Sequence, residues 1–97
     1  MNNIEHGNIM IVDDTPENLR LLAGALLTKG YTIRVFPSGK LALRSAKENT
    51  PDLILLDINM PEMDGFEVCK ALQADEQLKD IPVLFISALQ DIESKLQ

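Results

Sequence analysis

The sequence has few of the residues that build disulfide scaffolds, membrane spans or nucleic-acid surfaces. Its one cysteine, Cys69, cannot form a disulfide within the chain, which indicates a reducing, cytosolic environment. No apolar run approaches the ~20 residues that a membrane-spanning helix needs. Lys and Arg number 9 against 15 Asp and Glu, for a net charge of −6, whereas phosphate backbones bind clusters of basic residues. We therefore expect a cytosolic domain that binds neither membrane nor nucleic acid.

What the sequence does contain is a regular alternation of apolar strand patterns and amphipathic helix patterns. Short runs rich in β-branched residues predict four strands, at residues 9–12, 31–36, 53–56 and 82–86. Helical spacing of apolar residues predicts four helices, at about 16–29, 38–48, 66–74 and from 89 onward. This β-α-β-α-β-α-β-α order predicts a parallel sheet with right-handed crossovers and helices on both faces. A chain of 97 residues has room for one such domain, residues 1–97.

Residues with helix-starting and helix-stopping preferences support these boundaries. Thr15 is predicted as the N-cap of the first helix, with Pro16 at the first helical position. Gly30 follows the helix and is predicted to end it. Ser38 is predicted to cap the second helix.

Three carboxylates follow predicted strands at the edge of the sheet where ligands bind in folds of this kind. Asp13 and Asp14 follow the first strand, and Asp57 closes the third. Each acid alone could simply end a strand or favour a helix N-terminus. Together, at ~4 Å and an effective dielectric constant of 20, each pair repels by ~4 kcal/mol, so the cluster favours a cation. Hard oxygen ligands at a shallow site predict Mg²⁺ or Mn²⁺, next to which a carboxylate can accept a phosphoryl group.

Two motifs resemble the receiver domain of bacterial response regulators and hybrid histidine kinases. The first is IVDD at residues 11–14, and the second, more specific, is LLDINMPEMDG at residues 55–65. The resemblance extends from Asn8 onward and implies an α/β, flavodoxin-like, doubly wound parallel sheet with strand order 2-1-3-4. It also implies a two-component signalling switch that a histidine kinase phosphorylates, acting on an output domain in a longer parent protein. Within the second motif, Gly65 is expected to adopt a backbone conformation that other residues resist.

The resemblance assigns a role to each site residue. Asp57 is the phospho-acceptor and also a ligand of the cation, and Asp14 is a direct ligand of Mg²⁺ (or Mn²⁺). Asp13 supports the ion mainly through water, and the backbone carbonyl of Asn59 is a further ligand. Ser87, which follows the fourth strand, is the switch hydroxyl that bonds the phosphoryl group and repositions the following loop.

The chain lacks the last part of the family pattern. That pattern continues with a fifth strand, a lysine at its end, a switch aromatic and a last helix, and none of these stands before Gln97. Lys95 falls in the predicted fourth helix, so it is not assigned the role of the missing lysine. The sequence therefore predicts either a fragment or a chain whose missing surface another chain supplies. Self-association through the exposed fourth strand is then expected.

Other functions fit the sequence less well. The main alternative is a receiver-like protein-interaction module without phosphate turnover, because the family lysine is missing. A phosphohydrolase of the aspartyl-phosphate type would carry Asp-x-Asp after the first strand, where residues 13–16 are DDTP. A dinucleotide or flavin site would need a glycine-rich turn there, and residues 13–18 contain no glycine. We expect not an enzyme but a phospho-acceptor domain that assists its own phosphorylation and dephosphorylation.

Overall fold

The computed structural model describes residues 7–86, which form four strands and three helices. In chain order they are β1 (Asn8–Val12), α1 (Pro16–Leu27), β2 (Thr32–Phe36), α2 (Gly39–Glu48), β3 (Leu53–Leu56), α3 (Gly65–Gln73) and β4 (Val83–Phe85). All pairings are parallel, and the strand order is β2-β1-β3-β4. The predicted strand order and the alternation of strands and helices are therefore confirmed as far as β4. The predicted fourth helix lies outside the described residues.

The register of the central strands determines where the acidic residues emerge. Val12, the last residue of β1, pairs with Phe36 of β2 on one side and with Leu56 of β3 on the other. The residues that follow β1 and β3, Asp13 and Asp57, therefore leave adjacent strands at the same level. The ladder continues by one hydrogen bond, because the Asp57 amide donates to the Val12 carbonyl oxygen at 2.9 Å.

Successive side chains of each central strand point to opposite faces of the sheet, and helices pack against the apolar side chains on both faces. Residues on one face pack against α2 and α3, and they include Met10, Val12, Ile54 and Leu56. Ile9, Ile11 and Leu55 face the other way and pack against apolar residues of α1. Helix α1 contributes only partly buried side chains, and its Leu21 is 68% exposed. No helix among residues 7–86 has the length and apolar character needed to cross a membrane.

The helix starts differ in how their amide groups are satisfied. Thr15 occupies the N-cap position of α1 with Pro16 after it, as predicted, but the Thr15 side chain accepts no capping hydrogen bond. The Ser38 hydroxyl does cap α2, accepting from the Leu41 amide at 3.3 Å. Helix α3 begins with a full capping box, in which Asp64 and Glu67 each accept from the other's amide at 2.9 Å. The start of α3, next to the loop after Asp57, is thus firmly fixed.

Candidate metal and phosphoryl-acceptor site

The carboxylates of Asp13, Asp14 and Asp57 converge at the carboxyl end of β1 and β3. Each offers one oxygen, and the three oxygens lie within 4.8 Å of one another. Asp13 is 1% exposed and Asp57 is 8% exposed, whereas Asp14 is open to solvent. The structure therefore brings together the three acids that the sequence placed after two separate strands.

Asp13 is held in place by two hydrogen bonds from the beginning of α1. The Thr15 amide donates to Asp13 Oδ1 at 2.9 Å, and the Asn18 side-chain amide donates to Asp13 Oδ2 at 3.1 Å. A hydrogen bond to a charged group contributes about 1.5–3 kcal/mol, which offsets part of the cost of burying the carboxylate.

Asn18 is a site residue that no sequence pattern predicts. It lies in the first turn of α1, five residues after Asp13. A polar residue in the first turn of an amphipathic helix is usually solvated, so nothing in its spacing marks it as a partner of a buried acid.

The loop between Asp57 and α3 folds back on itself. The Gly65 amide donates to the Ile58 carbonyl at 2.8 Å, and the Met63 amide donates to the Pro61 carbonyl at 2.7 Å. The Asn59 amide lies 3.4 Å from Asp57 Oδ1, which is a long hydrogen bond. These contacts fix the backbone that follows the predicted acceptor.

Gly65 is required for a different reason from the one the sequence suggested. The expected unusual backbone conformation is wrong, because the glycines with positive φ among the described residues are Gly7 and Gly30. In this loop the positive φ, 69°, belongs to Glu62. A Cβ on Gly65 would lie 2.5 Å from the Asp57 carbonyl oxygen and 2.8 Å from the Ile58 Cα. Gly65 is therefore needed because the start of α3 touches the backbone of the acceptor strand.

The donor set of this site fits a hard divalent cation. Three carboxylates at this spacing repel each other by roughly 3 kcal/mol per pair at an effective dielectric constant of 20. Carboxylate and carbonyl oxygens are the ligands that Mg²⁺ and Mn²⁺ prefer, and the solvent-facing Asp14 leaves room for the waters that Mg²⁺ retains. An acidic pocket of this kind is typical of a magnesium site.

Two of the predicted site residues are not part of this cluster as described. Asn59 lies in the loop directly after Asp57 and is exposed, and its carbonyl as a metal ligand stays a prediction. Ser87, the predicted switch hydroxyl, lies outside the described residues.

Comparison with known proteins identifies the family of this fold and site. The family model described as the response regulator receiver domain matches residues 9–97. The response regulator PleD of Caulobacter vibrioides is 42% identical over 89 residues, which cover 92% of this chain and 20% of PleD. The polar-differentiation response regulator DivK of Brucella ovis is 46% identical over 82 residues, which cover 84% of this chain and 66% of DivK. The chain thus spans a fifth of one relative and just under two thirds of the other.

A solved structure gives the same result for the fold. The chemotaxis response regulator CheY4 of Vibrio cholerae matches with a TM-score of 0.77 and 31% sequence identity, over 92% of this chain and 78% of that one. Its likeness agrees with the observed strand order and with the flavodoxin-like sheet. Phosphorylation-dependent signalling is the function of this family, and the chain belongs to the response regulator receiver domain family.

Proposed function

We propose that Asp57 accepts a phosphoryl group from a histidine kinase, and that Asp14, Asp13, Asp57 itself and the Asn59 backbone carbonyl hold the Mg²⁺ or Mn²⁺ that the transfer requires. The observation that carries this proposal is the convergence of the three carboxylates within 4.8 Å at the carboxyl ends of adjacent strands. Asp57 directly follows β3, and the hydrogen bond from its amide to the Val12 carbonyl oxygen fixes its backbone.

The transfer needs a nucleophile, a leaving group and charge neutralisation. A carboxylate oxygen of Asp57 forms a bond to phosphorus while the P–N bond of the donor's phosphohistidine breaks. The imidazole leaves with the electron pair of that bond and takes up a proton. A divalent cation at the site supplies positive charge beside the transferring oxygens. The hydrogen bond from the Asp57 amide to the Val12 carbonyl, at 2.9 Å, keeps the nucleophile's backbone fixed throughout.

The two other acids have different surroundings, which supports different roles. Asp14 is exposed, so its oxygens can enter the coordination shell of an ion that arrives from solvent. Asp13 is buried, and each of its oxygens already accepts a hydrogen bond. A carboxylate oxygen retains a second lone pair, so Asp13 can still orient a metal-bound water. This supports direct ligation by Asp14 and support through water by Asp13.

The signalling step in this proposal rests on Ser87. A phosphoryl group on Asp57 adds about −1.5 to −2 charges and strong acceptor oxygens. We assign the Ser87 hydroxyl, by resemblance to the family, to bond those oxygens and to bias a pre-existing equilibrium in the segment that follows. Replacing Ser87 with Ala is expected to preserve phosphorylation and to reduce the change in amide hydrogen exchange after residue 87. An unchanged exchange response would remove Ser87 from the switch.

The proposal also covers the partners of the protein and its location in the cell. The histidine kinase donor, an output domain in the parent protein, and assistance by the domain in its own phosphorylation and dephosphorylation belong to it as well. A cytosolic location stays a prediction from the sequence. Self-association also stays a prediction. It would use β4, whose apolar Leu84 and Phe85 side chains are exposed.

Phosphate labelling tests the acceptor. The purified protein, incubated with radiolabelled acetyl phosphate and Mg²⁺, is expected to gain label, and Asp57→Asn is expected to gain none. Asp52→Asn is the matched control, because Asp52 lies near the opposite end of β3 and accepts a hydrogen bond from the Asn8 amide at 2.8 Å. Label that persists in Asp57→Asn, or disappears equally in Asp52→Asn, would remove Asp57 from the acceptor role.

The alternative, an interaction module without phosphate turnover, is not favoured. Such a module would have no need for a cluster of three carboxylates, two of them buried, which is costly to maintain without a cation. The labelling experiment separates the two functions directly, since a pure interaction module would take up no label.

A further inference from the structure

The orientation of Asp13 depends on one side chain that no motif singles out, Asn18. Asp13 is 1% exposed, and its two oxygens accept hydrogen bonds at 2.9 Å from the Thr15 amide and at 3.1 Å from the Asn18 side chain. The Thr15 donor is a backbone group that almost any residue could supply. The Asn18 donor exists only because of the residue type at that position.

An uncharged amide is a suitable hydrogen-bond donor to a carboxylate that also supports a bound cation. A lysine or arginine at this position would neutralise Asp13 and compete with a divalent ion for it. An amide holds the carboxylate through one N–H and carries no net charge. The Asn18 amide therefore fixes the plane and the remaining lone pairs of the Asp13 carboxylate without adding a compensating charge.

The position of Asn18 links α1 to the acidic cluster. Asn18 is the third residue of α1, and its side chain reaches back to Asp13 in the segment that joins β1 to the helix. Partners outside the coordination shell that orient the direct ligands of a metal typically change its affinity by 10–100-fold when they are removed, and Asn18, which orients a group that acts through water, is expected at the lower end of that range. Asn18 has the geometry of such a partner.

We infer that Asn18 is a positioning residue for the divalent cation, acting through Asp13 and not by contact with the ion. This inference rests on the proposed function, because it requires that Asp14 and Asp57 bind the cation and that Asp13 supports it through water. Its competitor is a purely structural role, in which Asn18 only stabilises the start of α1.

Binding of Mn²⁺, followed by the loss of the free-ion signal in electron paramagnetic resonance, tests the inference. Asn18→Leu removes the donor at similar volume, and Asn18→Ala is the second variant should the leucine disturb packing. Either is expected to raise the dissociation constant for Mn²⁺ about 10-fold. Leu21→Ala, which shortens an exposed side chain of the same helix, is the matched control and is expected to leave Mn²⁺ binding unchanged.

A double-mutant cycle separates positioning from structure. In an Asp13→Asn background, the loss of the Asn18 side chain is expected to change the Mn²⁺ affinity less than 2-fold, because the charge it positions is gone. Urea unfolding without divalent ions reports any structural role independently.

Each outcome has a distinct consequence. If the wild-type protein binds no Mn²⁺, the cation site of the proposed function fails and this inference fails with it. If the wild type binds and Asn18→Leu and Asn18→Ala bind as well as it does, the cation site stands and the inference is overturned. An equal loss in the wild-type and Asp13→Asn backgrounds would also overturn it, because Asn18 would then not act through Asp13.

Discussion

The two ends of the β-sheet differ in whether their charged side chains are paired within the chain. At the amino end, charged groups have partners within the chain: Lys47 pairs with Asp75 at 3.0 Å, and Asp52 accepts from the Asn8 amide at 2.8 Å. Arg34 donates to the Asn49 carbonyl at 2.6 Å and to the Ser45 hydroxyl at 2.7 Å. The amino end is therefore held together by its own residues.

At the carboxyl end, the chain gathers like charges instead of separating them. Asp13, Asp14 and Asp57 place oxygens within 4.8 Å of one another, and the donors described for Asp13 are uncharged amides. The repulsion that remains is a cost in the absence of a cation, and it becomes binding free energy when a cation arrives. The acidic end of the sheet is therefore arranged to receive a cation, whereas the amino end maintains the fold.

The largest expected effect is on cation affinity at the acidic end. Asp14→Asn is expected to raise the dissociation constant for Mg²⁺ about 100-fold, and Asp13→Asn about 10-fold. Of these two residues, only Asp14 is assigned direct ligation. Asp52→Asn at the amino end is the control and is expected to bind Mg²⁺ as the wild type does. Calorimetric titration measures all three variants. Equal losses, or a larger loss for Asp13→Asn, would contradict the assigned roles.

A second effect compares two glycines in different surroundings. Gly65→Ala forces a Cβ to within 2.5 Å of the Asp57 carbonyl oxygen, so it is expected to destabilise the protein by about 1–3 kcal/mol. Gly24→Ala, in the middle of α1, meets no atom within 4 Å and is expected to stabilise by about 0.5–1 kcal/mol. Urea unfolding measures both free energies. A Gly65→Ala protein as stable as the wild type would mean that α3 and the acceptor strand can separate freely.

A third effect, about 1 kcal/mol in size, has opposite signs at the two ends. Without divalent ions, Asp14→Asn is expected to stabilise the fold, because it removes one of three repelling charges. Asp52→Asn is expected to destabilise it by weakening the hydrogen bond from the Asn8 amide. Urea unfolding in EDTA, at low and high salt, measures both. The Asp14→Asn gain should shrink at high salt, and a loss of stability in that variant would contradict the repulsion argument.

The smallest effect belongs to the ion pair at the amino end. Two hydrogen bonds to the Asp75 carboxylate lower its pKa. The first comes from the Lys47 side chain, and the second comes from the Gln77 amide at 2.8 Å. A lowered folded-state pKa contributes stability above the ordinary pKa of the carboxyl group and loses it as pH falls through the folded value. Lys47→Met is therefore expected to be slightly less stable than the wild type at pH 7, and the difference should begin to shrink below about pH 4 and vanish once the pH is below the lowered pKa of Asp75. A difference that persists in acid would assign the effect of Lys47 to packing.

The order of elements follows from short-range apolar patterns in the sequence, and the location of the acidic cluster follows once the family resemblance places the first strand beside the third. Apolar runs predicted β1 and β3, and the strand ends predicted where Asp13 and Asp57 would meet. The finer contacts were not predictable, since they depend on how two elements approach in space. Gly65 illustrates this, because its close neighbour is the backbone of Asp57, which only the packing of α3 reveals. Asn18 illustrates it again, because its partner precedes the helix that carries it.

The most direct test of the account is to locate the phosphoryl group in the wild-type protein. After incubation with acetyl phosphate and Mg²⁺, borohydride reduction converts an aspartyl phosphate to homoserine, and peptide mass spectrometry identifies the residue. If Asp57 is the cation-dependent acceptor, homoserine is expected at position 57, and none there when EDTA replaces Mg²⁺. Homoserine at position 13, 14 or 52, or modification of Asp57 that is independent of divalent cations, would contradict it.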